Sequence, residues 1–173
     1  MSFRCLLSAC LGAFLLFALA GCDEKKGSFA HKGATAPDPG ALYVDGDQPV
    51  ELEKYRGRPL ILLFFANSCC SEELDSFELL FSSQEKPPWN IIAINVGDTP
   101  EEVAMIAEKK KISFPMAYDP IFTSKHRYRL MAVPTVFVVG QDGVVLGRII
   151  GKIPFEQVSK QIVDMLEKTD SKG

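Results

Sequence analysis

Cys69-Cys70-Ser71-Glu72 stands between an apolar run, Leu60-Ile61-Leu62-Leu63-Phe64-Phe65, and a helical pattern that begins near Glu73. The nucleophile of disulfide exchange is a thiolate. A cysteine at a helix start gains stabilisation of that anion from unpaired N–H groups and the helix dipole. A buried strand running into cysteine at a helix start is therefore a redox arrangement, with Cys69 placed as the attacking sulfur. A Cys-x-x-Cys pair would put its second thiol at position 72, which Glu72 occupies. Any redox chemistry here must depart from the usual two-thiol cycle.

Three neighbours modify what Cys69 can do. Cys70 is one candidate to resolve an intermediate. Adjacent Cα atoms across a trans peptide lie only ~3.8 Å apart, however, so a vicinal bridge would be strained and easily reduced. A single-thiol cycle is the favoured expectation: Cys69 forms a mixed disulfide with a substrate or small thiol, and another thiol releases it. Glu72 reads either as a first-turn residue that helps cap the helix or as a charge that raises the pKa of Cys69 or relays its proton. Asp75 has the same two readings, with a solvated helix face favoured. Thiols of this kind also suit Cu(I). That ion wants a third ligand, and the two histidines, His31 and His126, read as surface residues; no metal site is assigned.

The chain has 173 residues, 47% of them hydrophobic, enough for one good core plus appendages. A net charge of -3 with scattered charged residues gives no electrostatic case for nucleic acid. Arg4, the apolar stretch Leu11 to Ala20 and the small residues before Cys22 read as a targeting signal, too short for a membrane span. Asp23 to Gly40 lack apolar periodicity and read as a flexible tether, with folding expected from about Pro39.

The remaining elements follow from periodicity and punctuation. Leu42 to Val44 and Val50 suggest two short strands around a turn, with Leu52 to Tyr55 as a helical turn. Residues 60 to 66 form a buried strand. Leu74, Phe77, Leu80 and Phe81 predict an amphipathic helix from about Cys70 to Ser82. A second buried strand at 91 to 96 precedes a helix capped by Thr99 and Pro100 and running to about Lys110. Phe114 to Tyr118 read as a strand and Phe122 to Tyr128 as a short helix. Val133 to Val139 and Val144 to Ile150 read as a hairpin, and Pro154 to Lys168 as a closing helix. Alternation followed by a hairpin implies a mixed sheet covered by helices, an α/β domain.

Leu19-Ala20-Gly21-Cys22 resembles the lipobox of bacterial lipoproteins, which implies cleavage before Cys22 and lipidation of its thiol. Asp23 resembles the signal that retains such proteins in the inner membrane of some bacteria. Cys5 and Cys10 would then leave with the signal, so Cys69 and Cys70 would be the free thiols. In an oxidising compartment, keeping only two adjacent cysteines points to use of at least one.

Residues 36 to 168 resemble the thioredoxin superfamily, most closely the membrane-tethered extracytoplasmic thiol-disulfide oxidoreductases of the TlpA and ResA type. Ala36-Pro37-Asp38-Pro39 and Asp45-Gly46-Asp47-Gln48-Pro49-Val50-Glu51-Leu52 are similar to that family's opening segment. Phe64-Phe65-Ala66-Asn67-Ser68-Cys69 stands where those proteins have an aromatic strand end and a Trp-Cys pair. Met131-Ala132-Val133-Pro134-Thr135-Val136-Phe137 looks like their cis-proline segment, and Asp142-Gly143 with Gly151 matches the following hairpin. Asp98 to Lys125 fits their helical insertion. Ser68 replaces the usual tryptophan, Glu72 the resolving cysteine, and Asp75 a glutamate.

The resemblance implies a thioredoxin-like domain over residues 39–170, a mixed central sheet flanked by helices with an N-terminal short-strand extension and a helical insertion. A lipoprotein signal over 1–21 and a lipidated tether over 22–38 would precede it. It implies Cys69 as the catalytic thiol, Cys70 and Glu72 as its modifiers, and a cis Pro134 that leaves the Val133 backbone free to pair with a substrate strand. Implied partners are protein or small-molecule disulfides, a membrane or periplasmic thiol donor, and the bilayer through the lipid anchor, with no cofactor and no nucleic acid. The expected location is the periplasmic face of the cytoplasmic membrane. Two other readings stand beside this one. Cys69-Cys70-Ser71-Glu72-Glu73-Leu74 is similar to the Cys-x-x-Glu segment of peroxiredoxins, although Ala66 and Leu62 occupy positions where those enzymes hold peroxide-binding residues. A redox-inactive binding module would keep the groove near Val133 and Pro134 without turnover.

Overall fold

The computed structural model describes residues 29–83 and 87–170. The signal segment and Cys22 lie outside the described residues. The elements in chain order are β1 (Leu42–Tyr43), a 3-10 turn (Leu52–Tyr55), β2 (Leu60–Phe65), α1 (Asn67–Cys70) and α2 (Glu72–Ser82). There follow β3 (Asn90–Val96), α3 (Pro100–Lys110), β4 (Met116–Asp119), α4 (Thr123–Arg127), β5 (Thr135–Val139), β6 (Val145–Ile150) and α5 (Phe155–Asp170). The strands form one sheet in the order β1-β4-β3-β2-β5-β6. β2, β3 and β4 are parallel, while β1, β5 and β6 run antiparallel to their neighbours. This is the mixed sheet expected from alternation followed by a hairpin.

β2 is apolar throughout because it is a central strand covered on both faces. Its side chains alternate between two layers. Ile61, Leu63 and Phe65 pack with Leu74 and Phe77 of α2, Val103 of α3, and Val158 and Ile162 of α5. Leu60, Leu62 and Phe64 pack in a second layer with Ile92, Ile94, Phe137 and Tyr128. In that layer Phe64, Tyr128 and Phe137 are mutually in ring contact at 4.8 to 5.9 Å, within the range of favourable aromatic pairs.

The second layer corrects the expected tether. α4 is a short helix and cannot cover that face alone, and the N-terminal segment completes it. Ala30, Ala36 and Ala41 are buried there, and Ala30 N–H donates to Arg127 O at 2.8 Å. Thr35 bridges to Val144, and the Tyr128 hydroxyl donates to Pro37 O at 2.6 Å. Gly40 permits the close approach: at φ +75 its missing Cβ would lie 2.5 Å from Thr123 Cγ2. Among the described residues, packed chain is therefore present from Ala30 and not only from Pro39. The contacts are made by backbone and by alanines, which leave no periodic apolar pattern.

Smaller differences also have physical reasons. The helix expected from Cys70 starts at Asn67 and is interrupted at Ser71. β5 starts at Thr135 rather than Val133, since Pro134 has no N–H for the ladder. α3 has the expected cap: Thr99 Oγ1 accepts from Glu102 N–H, and Glu102 Oε2 accepts from Thr99 N–H. Phe64→Ala should cost about 3 to 5 kcal/mol, and Tyr128→Phe about 1 kcal/mol. Urea unfolding measures both. Tyr128→Phe should also speed proteolytic cutting before Gly40 if the Pro37 bond holds that segment down.

Candidate active site

The chain leaves β2 at Phe65 and turns through Ala66, whose backbone is extended, into α1. Ala66 offers no side-chain cap, and a helix start has N–H groups that need acceptors. The loop after β3 supplies one. Asp98 Oδ2 accepts from Asn67 N–H at 2.7 Å and from Asn95 Nδ2 at 2.7 Å. Asn95 Nδ2 also reaches Asn67 Oδ1 at 3.1 Å, while Asn95 Oδ1 accepts from Asp98 N–H at 3.0 Å. Asn95 is fully buried at the end of β3, and Gly97 at φ +114 allows the turn that brings Asp98 back. These three polar side chains tie the cysteine turn to the sheet.

Within that turn the two thiols have different surroundings. Cys69 is exposed, and its Sγ lies 3.9 Å from Ala66 O. Cys70 is 1% exposed and belongs to the first core layer. The structure joins their sulfurs as a vicinal disulfide, with Cα atoms 3.8 Å apart as the shared peptide dictates, so the single-thiol cycle starts from the reduced pair. Of the two, Cys69 is the one a substrate can reach.

Glu72 opens α2 beyond the break at Ser71. Its Oε2 accepts from Lys152 Nζ at 2.9 Å, and Lys152 also lies 3.7 Å from Glu73 Oε1. The hydrogen bond and charge of Lys152 hold the Glu72 carboxyl below its ordinary pKa, and the same pairing raises that of Lys152. Glu72 is thus ionised and partnered rather than bare beside Cys69. Asp75 likewise pairs with Lys110 of α3 at 2.5 Å, as an outward helix face would. Among the described residues no three or more His, Cys, Asp and Glu side chains converge as metal ligands would.

Pro134 and Val133 approach from the other side. β5 pairs antiparallel with β2, with Phe64 opposite Thr135. Continued by two residues, that register sets Pro134 beside Phe65 and Val133 beside Ala66. The Val133–Pro134 peptide is cis, Pro134 is buried, and its carbonyl accepts from Gly151 N–H at 2.8 Å. Val133 lies outside the β2–β5 ladder and is half-buried. Pro134, Glu72, Glu73, Phe77, Lys152 and Phe155 share a cavity of about 220 Å³. The structure therefore gathers Cys69, Cys70, Glu72, Val133 and Pro134 at one end of the sheet. Sequence reasoning missed Asn95, Asp98 and Lys152. A polar residue ending the buried run 91–94 was the available signal for Asn95; Lys152 left none.

Solved structures with this architecture define the class as a thioredoxin-like α/β fold. A secreted Mycobacterium tuberculosis disulfide oxidoreductase homologous to E. coli DsbE aligns with TM-score 0.62 and 16% identity over 72% of this chain and 93% of its own. StoA from Bacillus subtilis aligns with TM-score 0.58 and 19% identity over 69% of this chain and 92% of its own. The chain belongs to the AhpC/TSA family, whose model matches residues 32–148. Its curated relatives include the thiol-disulfide oxidoreductases ResA of Geobacillus kaustophilus, 28% identical over 75% of each chain, and of Bacillus cereus, 27% identical over 89% of this chain and 90% of that one.

Two sets of variants test the site. Asn95→Ala should cost about 1 to 3 kcal/mol by stranding Asp98 and Asn67, read by urea unfolding. Lys152→Met should slow alkylation of Cys69 at neutral pH, because an unpaired Glu72 charge disfavours a neighbouring thiolate. Glu72→Gln should speed it, and the double variant should return close to wild type. Equal rates in all four proteins would show that Glu72 does not act on Cys69.

Proposed function

We propose that this chain is a thiol-disulfide oxidoreductase that works through the single thiol of Cys69, held by a lipid on Cys22 at the periplasmic face of the cytoplasmic membrane. The observation that carries the reading is the pairing of an exposed Cys69 with a buried Cys70 at the start of the site helix, next to the Pro134 segment. The names of the ResA relatives point to the same chemistry. In the first step the Cys69 thiolate attacks one sulfur of a protein or small-molecule disulfide. A mixed disulfide forms, and the other substrate sulfur leaves as a thiolate. In the second step a thiolate of a membrane or periplasmic dithiol donor attacks the substrate-derived sulfur of that mixed disulfide and Cys69 leaves as a thiolate. The donor's second thiolate then attacks the donor sulfur of the resulting donor–substrate disulfide, which closes the donor disulfide and releases the substrate's second sulfur as a thiolate. Two electrons pass from donor thiols to substrate, or the reverse, and no cofactor takes part.

Val133 offers backbone groups beside Cys69 for an extended substrate segment, since β5 takes up ladder pairing only from Thr135. Glu72, neutralised by Lys152, leaves room for a thiolate three residues before it. No helix of the described residues is long and apolar enough to cross a membrane, so attachment rests on Cys22 in this reading.

Intact mass after equilibration in a glutathione redox buffer tests the proposal on wild type, Cys69→Ser and Cys70→Ser. A glutathione adduct on wild type and Cys70→Ser but not on Cys69→Ser is expected. A loss of two hydrogens in wild type alone would replace the single-thiol cycle with a vicinal one. No adduct and no hydrogen loss would leave a binding module. Peroxide consumption by the same proteins should be negligible beside thiol exchange, given Ala66 and Leu62 at the positions noted above.

A further inference from the structure

The start of the described chain is pinned to a cationic patch. Phe29 lies under the guanidinium of Arg129, 4.1 Å from carbon to ring centroid, and Ala30 N–H bonds to Arg127 O. Lys125, His126, Arg127 and Arg129 are all exposed around that point, while Tyr128 between them is buried. Among the described residues no carboxylate lies within ion-pair distance of Lys125, Arg127 or Arg129. Asp38 is close, since its backbone carbonyl accepts from Arg127 Nη1 at 2.6 Å, but its Oδ1 accepts from Leu52 N–H. The segment before the same point, with Asp23, Glu24, Lys25 and Lys26, carries no net charge, so the cationic character belongs to the 125–129 turn. The whole protein carries a net charge of -3, so this cluster runs against the general charge.

We infer that the Lys125–Arg129 turn is a docking surface for an anionic bilayer, which seats the domain on the membrane by the face carrying α4. The inference rests on the anchoring of Cys22 proposed above. Residues 23 to 29 span at most about 25 Å when fully extended. That length ends at Phe29, so the patch lies within that reach of the lipid headgroups. Basic residues that come within a Debye length, ~10 Å, of acidic lipid each strengthen binding roughly fivefold, and a tether of this length permits that approach. Phe29, a residue 46% exposed, stands among these cations.

Lysine footprinting on the full mature lipoprotein tests this. Reconstituted into phosphatidylcholine vesicles with and without phosphatidylglycerol, the protein is acylated at lysine and read by mass spectrometry. Lys125 should react severalfold more slowly on the anionic vesicles, with the protection lost at high salt. Lys109 and Lys160, on the helices of the opposite face, should not change. Arg127→Gln with Arg129→Gln should abolish the protection, whereas Arg127→Lys with Arg129→Lys should keep it, separating charge from any fault of folding. Equal Lys125 rates on both vesicles, or equal slowing of all three lysines, would overturn the inference. An intact mass without lipid on Cys22 would overturn the anchor instead. Sedimentation of that unlipidated chain with anionic vesicles would still uphold the patch if reversed by salt, and absence of sedimentation would reject it.

Discussion

A helix that starts immediately after a buried central strand has first N–H groups with no partner in its own backbone, and the placement of Cys69 depends on who supplies one. Here the acceptor is Asp98, itself held by fully buried Asn95. The parallel pairing of β2 with β3 brings Asn95 opposite Phe65, the last residue before the turn. Sheet register and site geometry are thus one constraint. Phe65 faces the first core layer, so a slip of β3 by one residue would move Asn95 off the turn and turn its neighbours to the wrong layer. A buried amide and a carboxylate at this junction are costly unless each finds its partners, and these do.

The glutamate that stands in place of a second cysteine is not left as a bare charge. A carboxylate three residues after Cys69 disfavours a thiolate through like-charge repulsion. Lys152 sits one residue past Gly151 on the strand end that faces Glu72, and places a cation on that carboxylate. Both side chains are largely exposed, so the pair adds little to stability; its effect falls on the local field. Cys70 meanwhile packs as a small apolar residue with Leu74 and Phe77. The different exposure of adjacent cysteines follows from helix geometry, which turns neighbouring side chains about 100° apart.

The sequence made the elements with strong patterns legible: β2 as a uniformly apolar run, β3 from its apolar stretch 91–94, α3 from its Thr99-Pro100 start, and α5 from the apolar face of the closing helix. That Cys69 and Pro134 lie at the same end of the sheet followed from family resemblance rather than from spacing. What stayed hidden was made by backbone or by single long-range contacts. Residues 30 to 38 dock through main-chain hydrogen bonds and alanines, which carry no pattern a window can count. Lys152 is one lysine among many until the fold brings it to Glu72. The early start at Asn67 depends on Asp98, thirty-one residues away.

The two layers of the sheet also divide the work of the molecule. The site helix lies in one layer, with α3 and α5, and the N-terminal segment leaves from the other, with α4 and Tyr128. Cys69 belongs to neither face but to the edge where β2 ends and β5 begins. An edge is at right angles to both faces. A domain seated on a bilayer by its α4 face would hold Cys69 to the side, parallel to the membrane plane, rather than pressed against lipid or turned fully away. In that posture the proposed substrate segment at Val133 and a donor thiol at the membrane surface would approach the same sulfur from different sides, which is the arrangement a single-thiol cycle requires.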